Sequence, residues 1–596
     1  MPFLAAAIVA AGRRLPRPAV DAIAIGAAAA SAVLSGALVV ATRAGPSVEW
    51  MGGWAPRGEA ALGIALAADP LGAGLGALCG VLAVAALVFS LRFFEDAERH
   101  FQAIVLLFQG ALCGFGLTGD LFDLFVFFEL MSVTAFALAG YKAEEPSAIQ
   151  GSLEFAVTNS VAAFLILVGI ALLYGRTGQL NLAAIGRALG PARDGLVLSA
   201  FTLLACGFLV KAAVVPFHFW LPDAHAVAPT PASALFSGVM VTAGLYAVVR
   251  LRAAAFGVPL APVEGRVRAI LVLAGVLAAT VGALLCWAQR HLKRLLAYST
   301  VAHVGVVLAM AGLATPSALG GAALYAAGHG LAKGALFLAA GIVLHRLRSV
   351  DEVALRGRGR ADRAIGVLFA LGAWALAGAP PFATFAGGAD AERAAEELGY
   401  GWLRWPIAAA AVLTAGAVLR AAGRIFLGLG SREAEAPDAG GETTEAPETA
   451  RSTGRVPAFM WAPVLTLLAA SAALGIAPGA REAARDGSRR LLDGRAYAAA
   501  QLGGTTLPRA TPAPPSPRDV STAGHALAVA AAAFALAGGA LARSRVPARW
   551  RRAPAAAWSA FIGPLRRLHG GCVGDDVTWL AAGVAVFGGL VALLLR

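Results

Sequence analysis

Four ionisable side chains stand where apolar helices should carry none. Glu129 lies within DLFDLFVFFELMSVTAFALAGY and Lys211 within FTLLACGFLVKAAVVPF, while His329 and Lys333 share ALGGAALYAAGHGLAKGALFLAAGIVL. An ionisable group at mid-membrane costs about 2.5–3.5 kcal/mol on insertion scales, so it marks an ion pathway or an internal pair. Carboxylate, imidazole and amine all take and release protons, and together they suit a proton or cation path. The competing reading of Glu129 is a structural ion pair between helices. Tyr325, His329 and Lys333 follow at i, i+4 and i+8, which lines them along one helix face as a polar seam. Asp120 and Asp123 fall near the mouth of their span, where water can solvate them.

Prolines interrupt the helices that carry this chemistry. Pro216 offers no N–H and clashes with the carbonyl of Ala212, which predicts a break about one turn past Lys211. Broken membrane helices are tolerated where the freed backbone faces protein or a wet cavity, so the lysine and the break support one another. Beyond it runs FHFWLPDAHAVAPTP, with Trp220 expected as an interfacial anchor and Asp223 and His225 near the surface. Pro380 and Pro381 predict a second break in WALAGAPPFATFAGG. Two broken helices in corresponding positions point to inverted repeats with the path at their interface.

The elements that must hold these residues are membrane helices. Of 596 residues, 59% are hydrophobic and 14% charged, and the mean hydropathy is +0.73. Apolar runs of spanning length, roughly 17–25 residues, recur along nearly the whole chain. The fold class expected is an all-α polytopic membrane protein of about 14–16 transmembrane helices, with five-helix repeats covering helices 4–8 and 9–13. The expected division is N-terminal helices over 1–95, a first repeat over 96–253, a second over 265–428, an acidic disordered linker over 429–456, and an appendage over 457–596 with a Pro-rich loop at 503–518. The net charge of +13 reads as basic loops of a membrane protein rather than a nucleic-acid surface. Clusters at RRLPR (13–17), RHLKR (290–294) and 345–363 fall on one side if loops alternate, which puts the N-terminus outside. Arg176, Arg187 and Arg193 oppose that assignment. Cys79, Cys113, Cys206, Cys286 and Cys572 show no metal-ligand spacing, and no nucleotide fingerprint follows a strand. No cofactor or metal is expected, so redox chemistry would belong to partners.

These stretches also resemble a known family. LVKAAVVPFHFWLPDAHAVAPTPASALFSGVM (209–240), HLKRLLAYST (291–300) and HGLAKGALFLAAG (329–341) look like signatures of the antiporter-like subunits of respiratory complex I and of Mrp-type cation/proton antiporters. TGDLFDLFVFFELM (118–131) most resembles the D-type member of the Mrp group. The resemblance covers roughly 60–428 and leaves out the last three spans. It implies a proton-conducting subunit without a prosthetic group, Glu129 and Lys211 acting as a pair, and His329 and Lys333 as a relay in the second repeat. The chain departs from the family at Ser237 and Thr242, where a histidine often stands and, in many members, a lysine, and at Gly388 and Ala389, where a lysine or acid is typical. Asp390 is the candidate substitute at the last position. Tyr325, His218 and Asp223 complete the secondary proton-path candidates.

The leading expectation is therefore a proton-translocating subunit of a multisubunit complex in the inner membrane, of the Mrp cation/proton antiport type. Its partners would be other membrane subunits, the lipid bilayer, protons and Na+ or K+, with no nucleic acid. The alternatives are a proton-pumping subunit of a respiratory NADH:quinone or hydrogenase-type complex, acting as a translocase only within that assembly, a non-conducting structural subunit, and a solitary transporter of a small solute.

Overall fold

The computed structural model describes residues 1–594 except 13, 44, 57–60, 93–99, 432–455, 504–519, 543–559, 561–562 and 565–572. Nearly all of the acidic linker and the Pro-rich loop, together with Cys572, lie outside the described residues.

Two helices, α1 (Pro2–Ala11) and α2 (Arg17–Ala41), precede an antiparallel hairpin of β1 (Ser47–Trp50) and β2 (Ala65–Ala68). Then come α3 (Pro70–Phe89), α4 (His100–Leu117), α5 (Leu121–Ala139), α6 (Pro146–Thr177), α7 (Leu182–Leu189), α8 (Gly195–Lys211) and α9 (Trp220–Val227). A π-helical turn at Phe236–Met240 joins α10 (Thr230–Leu235) to α11 (Val241–Ala254). The chain continues through α12 (Gly257–Leu260), α13 (Glu264–Ala288), α14 (Leu292–Gly312), α15 (Pro316–Leu347), α16 (Arg363–Leu376), α17 (Ala383–Glu397) and α18 (Arg404–Leu427). The last described helices are α19 (Ala458–Ile476), α20 (Ala480–Leu492), α21 (Gly494–Leu502), α22 (Val520–Ala542) and α23 (Val573–Leu594).

Among the described residues, thirteen helices are long and apolar enough to cross a membrane. The two interrupted spans, α8–α9 and α16–α17, come in addition, because each break leaves pieces too short to cross alone. Polar side chains start the helices: Asp69, Asp120, Asn181, Asp194 and Thr315 accept the free N–H groups at the starts of α3, α5, α7, α8 and α15, which an apolar environment would otherwise leave unpaired. Asp120 is thus a buried cap, 2.9 Å from the N–H groups of both Phe122 and Asp123, and not a solvated mouth residue.

Two matching clasps expose the internal duplication. Leu121 N–H donates to Leu180 O and Leu182 N–H to Gly119 O; likewise Leu292 N–H donates to Val350 O and Glu352 N–H to Arg290 O. Asp120 bridges Asn181 in the first clasp and His291 bridges Asp351 in the second. The clasps lie on opposite faces. The end of α11 packs on α7 beside the first clasp, where Gly186 meets Ala254, and Arg252 pairs with Glu264 at the start of α13. One spanning helix later the chain reaches His291. The first broken helix accordingly runs from the Asn181 face to the His291 face, where Asp223 pairs with Arg294 at 2.9 Å. The second starts beside the Arg346–Asp362 pair on the His291 face and ends beside α18 on the Asn181 face.

Candidate functional site

Helix α8 stops at Lys211 itself, earlier than the proline rule alone predicts. Ala213 takes a left-handed φ of 53°, a region alanine seldom occupies, and the chain cannot resume a helix before Pro216, which lacks an N–H. The freed groups are re-paired locally: Ala212 N–H to Phe208 O at 3.0 Å, Ala213 N–H to Val210 O at 2.9 Å and Val214 N–H to Leu209 O at 3.1 Å. The second break repeats this with Ala377 to Ala373 O, Gly378 to Ala375 O and Ala379 to Trp374 O, with Gly378 at φ 66°. Pro380 and Pro381 lie in that break as Val215 and Pro216 lie in the first. Trp220 is no interfacial anchor: it is fully buried, stacked on Phe155 at 4.4 Å, and its indole N–H donates to Val210 O at 2.9 Å.

Lys211 is fully buried at the first break. Its ammonium donates to Ser132 Oγ at 2.7 Å and to Asn159 Oδ1 at 3.3 Å, with the rings of Phe128, Phe155 and Phe136 at 4.9, 5.5 and 5.9 Å. A cation over ring faces is stabilised by their quadrupoles without any countercharge. Glu129 does not form an ion pair with it within 4.0 Å, and the buried Oε1 of Glu129 meets no hydrogen-bond donor among the described residues. Ser132 lies three positions on from Glu129, on the same face of α5. The hydroxyl that accepts from the ammonium thus lies on the Glu129 side of α5, without touching the carboxylate.

The second cluster centres on a residue the sequence reading passed over. His303, fully buried in α14, bonds Tyr325 Oη through Nδ1 at 2.6 Å and Thr414 Oγ1 through Nε2 at 3.1 Å. Its ring stacks on His329 at 5.0 Å. One turn along α15, Lys333 donates to Leu296 O and Ser299 Oγ and sits 5.6 Å from the Phe337 ring centre. Tyr325, His329 and Lys333 are thus brought together as expected, with His303 completing the row. An imidazole within AYSTVAHVG obeys the same mid-span rule that singled out His329, so this signal was available.

The remaining candidates scatter. His218 is buried inside the first break, with Phe219 at 4.5 Å. Asp223 is held by Arg294 at the His291 face. His225, expected near the surface, is fully buried and stacks on Phe337 at 4.7 Å. Ser237 shares a 2.6 Å hydroxyl contact with Thr300 and so links the two repeats through neutral groups. Asp390 is ringed by Arg393 at 2.7 Å, Arg481 at 3.8 Å and Arg485 at 3.9 Å.

The C-terminal helices touch both breaks. A β-carbon on Gly475 of α19 would collide with the Pro381 carbonyl, and one on Gly583 of α23 with the rings of Pro216 and Phe217.

Inverted repeats, paired broken helices and a buried polar axis define a membrane protein of the antiporter-like class. Residues 118–395 match the NADH:quinone oxidoreductase/Mrp antiporter transmembrane family. The N-type subunit of the NADH-quinone oxidoreductase of Desulforudis audaxviator is 36% identical over 53% of this chain and 63% of its own length. The D-type subunit of the Na(+)/H(+) antiporter of Alkalihalophilus pseudofirmus is 31% identical over 57% of this chain and 68% of its own length. The match thus spans less than two thirds of the first relative. A chain in the structure of the Mrp complex from Dietzia superimposes with a TM-score of 0.72 at 26% identity, covering 84% of this chain and 98% of that one. The chain belongs to the NADH:quinone oxidoreductase/Mrp antiporter family.

Proposed function

We propose that this chain is a proton-translocating subunit of a multisubunit membrane complex, of the cation/proton antiport type, with Glu129, Lys211, His303, Tyr325, His329 and Lys333 on its path. One observation carries the reading: Lys211 sits buried at a helix break with neutral hydrogen-bond acceptors and no carboxylate in contact. A purely structural charge would be expected to keep a close counter-ion, because an unpaired buried charge is costly. A lysine that must gain and lose a proton is better served by neutral acceptors and a carboxylate out of contact on the neighbouring helix. We read the basic clusters at 290–294 and 345–363 as marking the cytoplasmic side of an inner membrane, with the N-terminus outside. The direct test is Lys211→Leu in membrane vesicles containing the whole complex. Loss of proton flux with the complex intact supports the reading, and unchanged flux refutes it.

The likeness to a component of an oxidoreductase favours a second reading, in which electron transfer elsewhere in the assembly drives this chain. Isolation of the tagged complex in mild detergent separates the two. Flavin and iron–sulfur subunits in the eluate would assign it to the electron-driven kind, and small membrane subunits alone to the antiporter.

A further inference from the structure

Between the second break and the Asn181 face lies a cavity of about 80 Å3, bordered by Tyr325, Thr384, Gly388, Glu392, Arg404 and His525 among others. It is large enough for water, which needs only about 10–15 Å3 of such space per molecule. At its inner wall stands Tyr325, whose hydroxyl already bonds His303. The side-chain position nearest the ring is vacated by Gly388: a β-carbon there would meet only Tyr325, at 3.9–4.0 Å. Glu392, one helical turn further along α17, brings a carboxylate to the outer part, and among the described residues it forms no ion pair. Asp390 cannot serve there, because its carboxylate is held by three arginines, two of them from α20. His525 comes from α22, a helix beyond the residues that match the family. A larger cavity of about 160 Å3, lined by Leu71, Leu75, Thr242, Tyr246 and Val307 among others, presents hydroxyls but no carboxylate, imidazole or amine.

We propose that the cavity beside Gly388 is a wet vestibule through which protons pass between Tyr325 and the Asn181 face, with Glu392 as the proton-exchanging carboxylate at its mouth and His525 of the appended helix on its wall. Arg404, the cation among its lining residues, is paired with Glu396 at 3.5 Å and leaves the Glu392 carboxylate uncapped. Asp390 is instead a positioning residue that ties α20 to α17. This inference rests on the proton-translocating reading above.

Two measurements on the intact complex test it. Cysteine at Gly388 is expected to react with a membrane-impermeant maleimide added on the Asn181 face, above the labelling of the parent chain; no reaction there, with Gly401→Cys reacting at the mouth, would overturn the vestibule. Glu392→Gln is expected to lower proton flux about 100-fold or more with the complex intact, in the range of a lost proton-transfer group, and Asp390→Asn to lower the amount of assembled complex rather than flux per complex. Parent-level flux in Glu392→Gln, alongside lost flux in Lys211→Leu, would sink the carboxylate's role and leave the proposed function standing. Parent-level flux in Lys211→Leu would sink the proposed function, while the labelling result would still report on the vestibule.

Discussion

The two repeats share a backbone plan and divide their chemistry differently. Ser132 and His303 stand equally far past the clasp residues Leu121 and Leu292, and Asn159 and His329 equally far past Pro146 and Pro316. Lys211 and Leu376 each close the helix before a break. Where the first repeat surrounds a buried ammonium with a hydroxyl, an amide and phenylalanine rings, the second has no charge at that point and stacks two imidazoles instead. Phe155, which shades Lys211, corresponds to Tyr325, which bonds His303. Glu129 corresponds to Thr300, whose hydroxyl meets Ser237. One fold thus sets its buried ammonium, Lys211, at the break in one half, and in the other moves it, as Lys333, one turn along α15 from a row of hydrogen-bonding rings. The comparison teaches that the break is the shared device, and the polar group beside it is interchangeable.

That comparison is breakable, starting with its largest expected effect. Lys211→Leu copies the residue of the second break, so the helix end should tolerate it. Proton flux should fall about 100-fold while the complex still assembles, as read by flux per complex in vesicles. His303→Phe keeps a flat ring and removes both hydrogen bonds; about a tenfold loss of flux is expected, the worth of roughly one such bond, and parent-level flux would make the second row mere packing. Ser132→Ala removes one acceptor from the ammonium, a change of about 1.5–3 kcal/mol for a bond to a charged group, and should slow the flux about tenfold. Asn159→Ala should match it if the two acceptors share the load.

Sequence reasoning reached some of these residues more readily than others, for physical reasons. Glu129, Lys211, His329 and Lys333 stood out because charge in an apolar run is rare and costly. Both breaks followed from proline chemistry, though the helix ends at Lys211 because Ala213 turns left-handed, which no residue type announces. Ser132 and Asn159 were invisible for the opposite reason: a hydroxyl or amide in a membrane helix usually bonds its own backbone, and both do, to Phe128 O and Phe155 O, while also serving Lys211. Trp220 and His225 were misplaced because amphipathic rings suit an interface. Here α9 lies buried among other helices, and the Trp220 indole N–H adds a second bond to Val210 O at the break. Asp390 was a fair candidate by position; the arginines that occupy it come largely from α20, far away in the chain.

Gly475 and Gly583 have a mechanical meaning beyond close packing. Because neither has a side chain, the backbones of α19 and α23 lie directly against the two hinges of the transport core. A hinge cannot swing far without carrying its neighbouring helix along, and that helix is otherwise anchored in the bilayer. The appended helices therefore brace the two breaks separately, one glycine contact to each. Gly475→Ala and Gly583→Ala would push each helix off its break, at about 1–3 kcal/mol for overpacking, and a lowered thermal midpoint of the purified complex would report it. The weakest points of the helix ladder in this core are thus propped by segments that lie outside the family match.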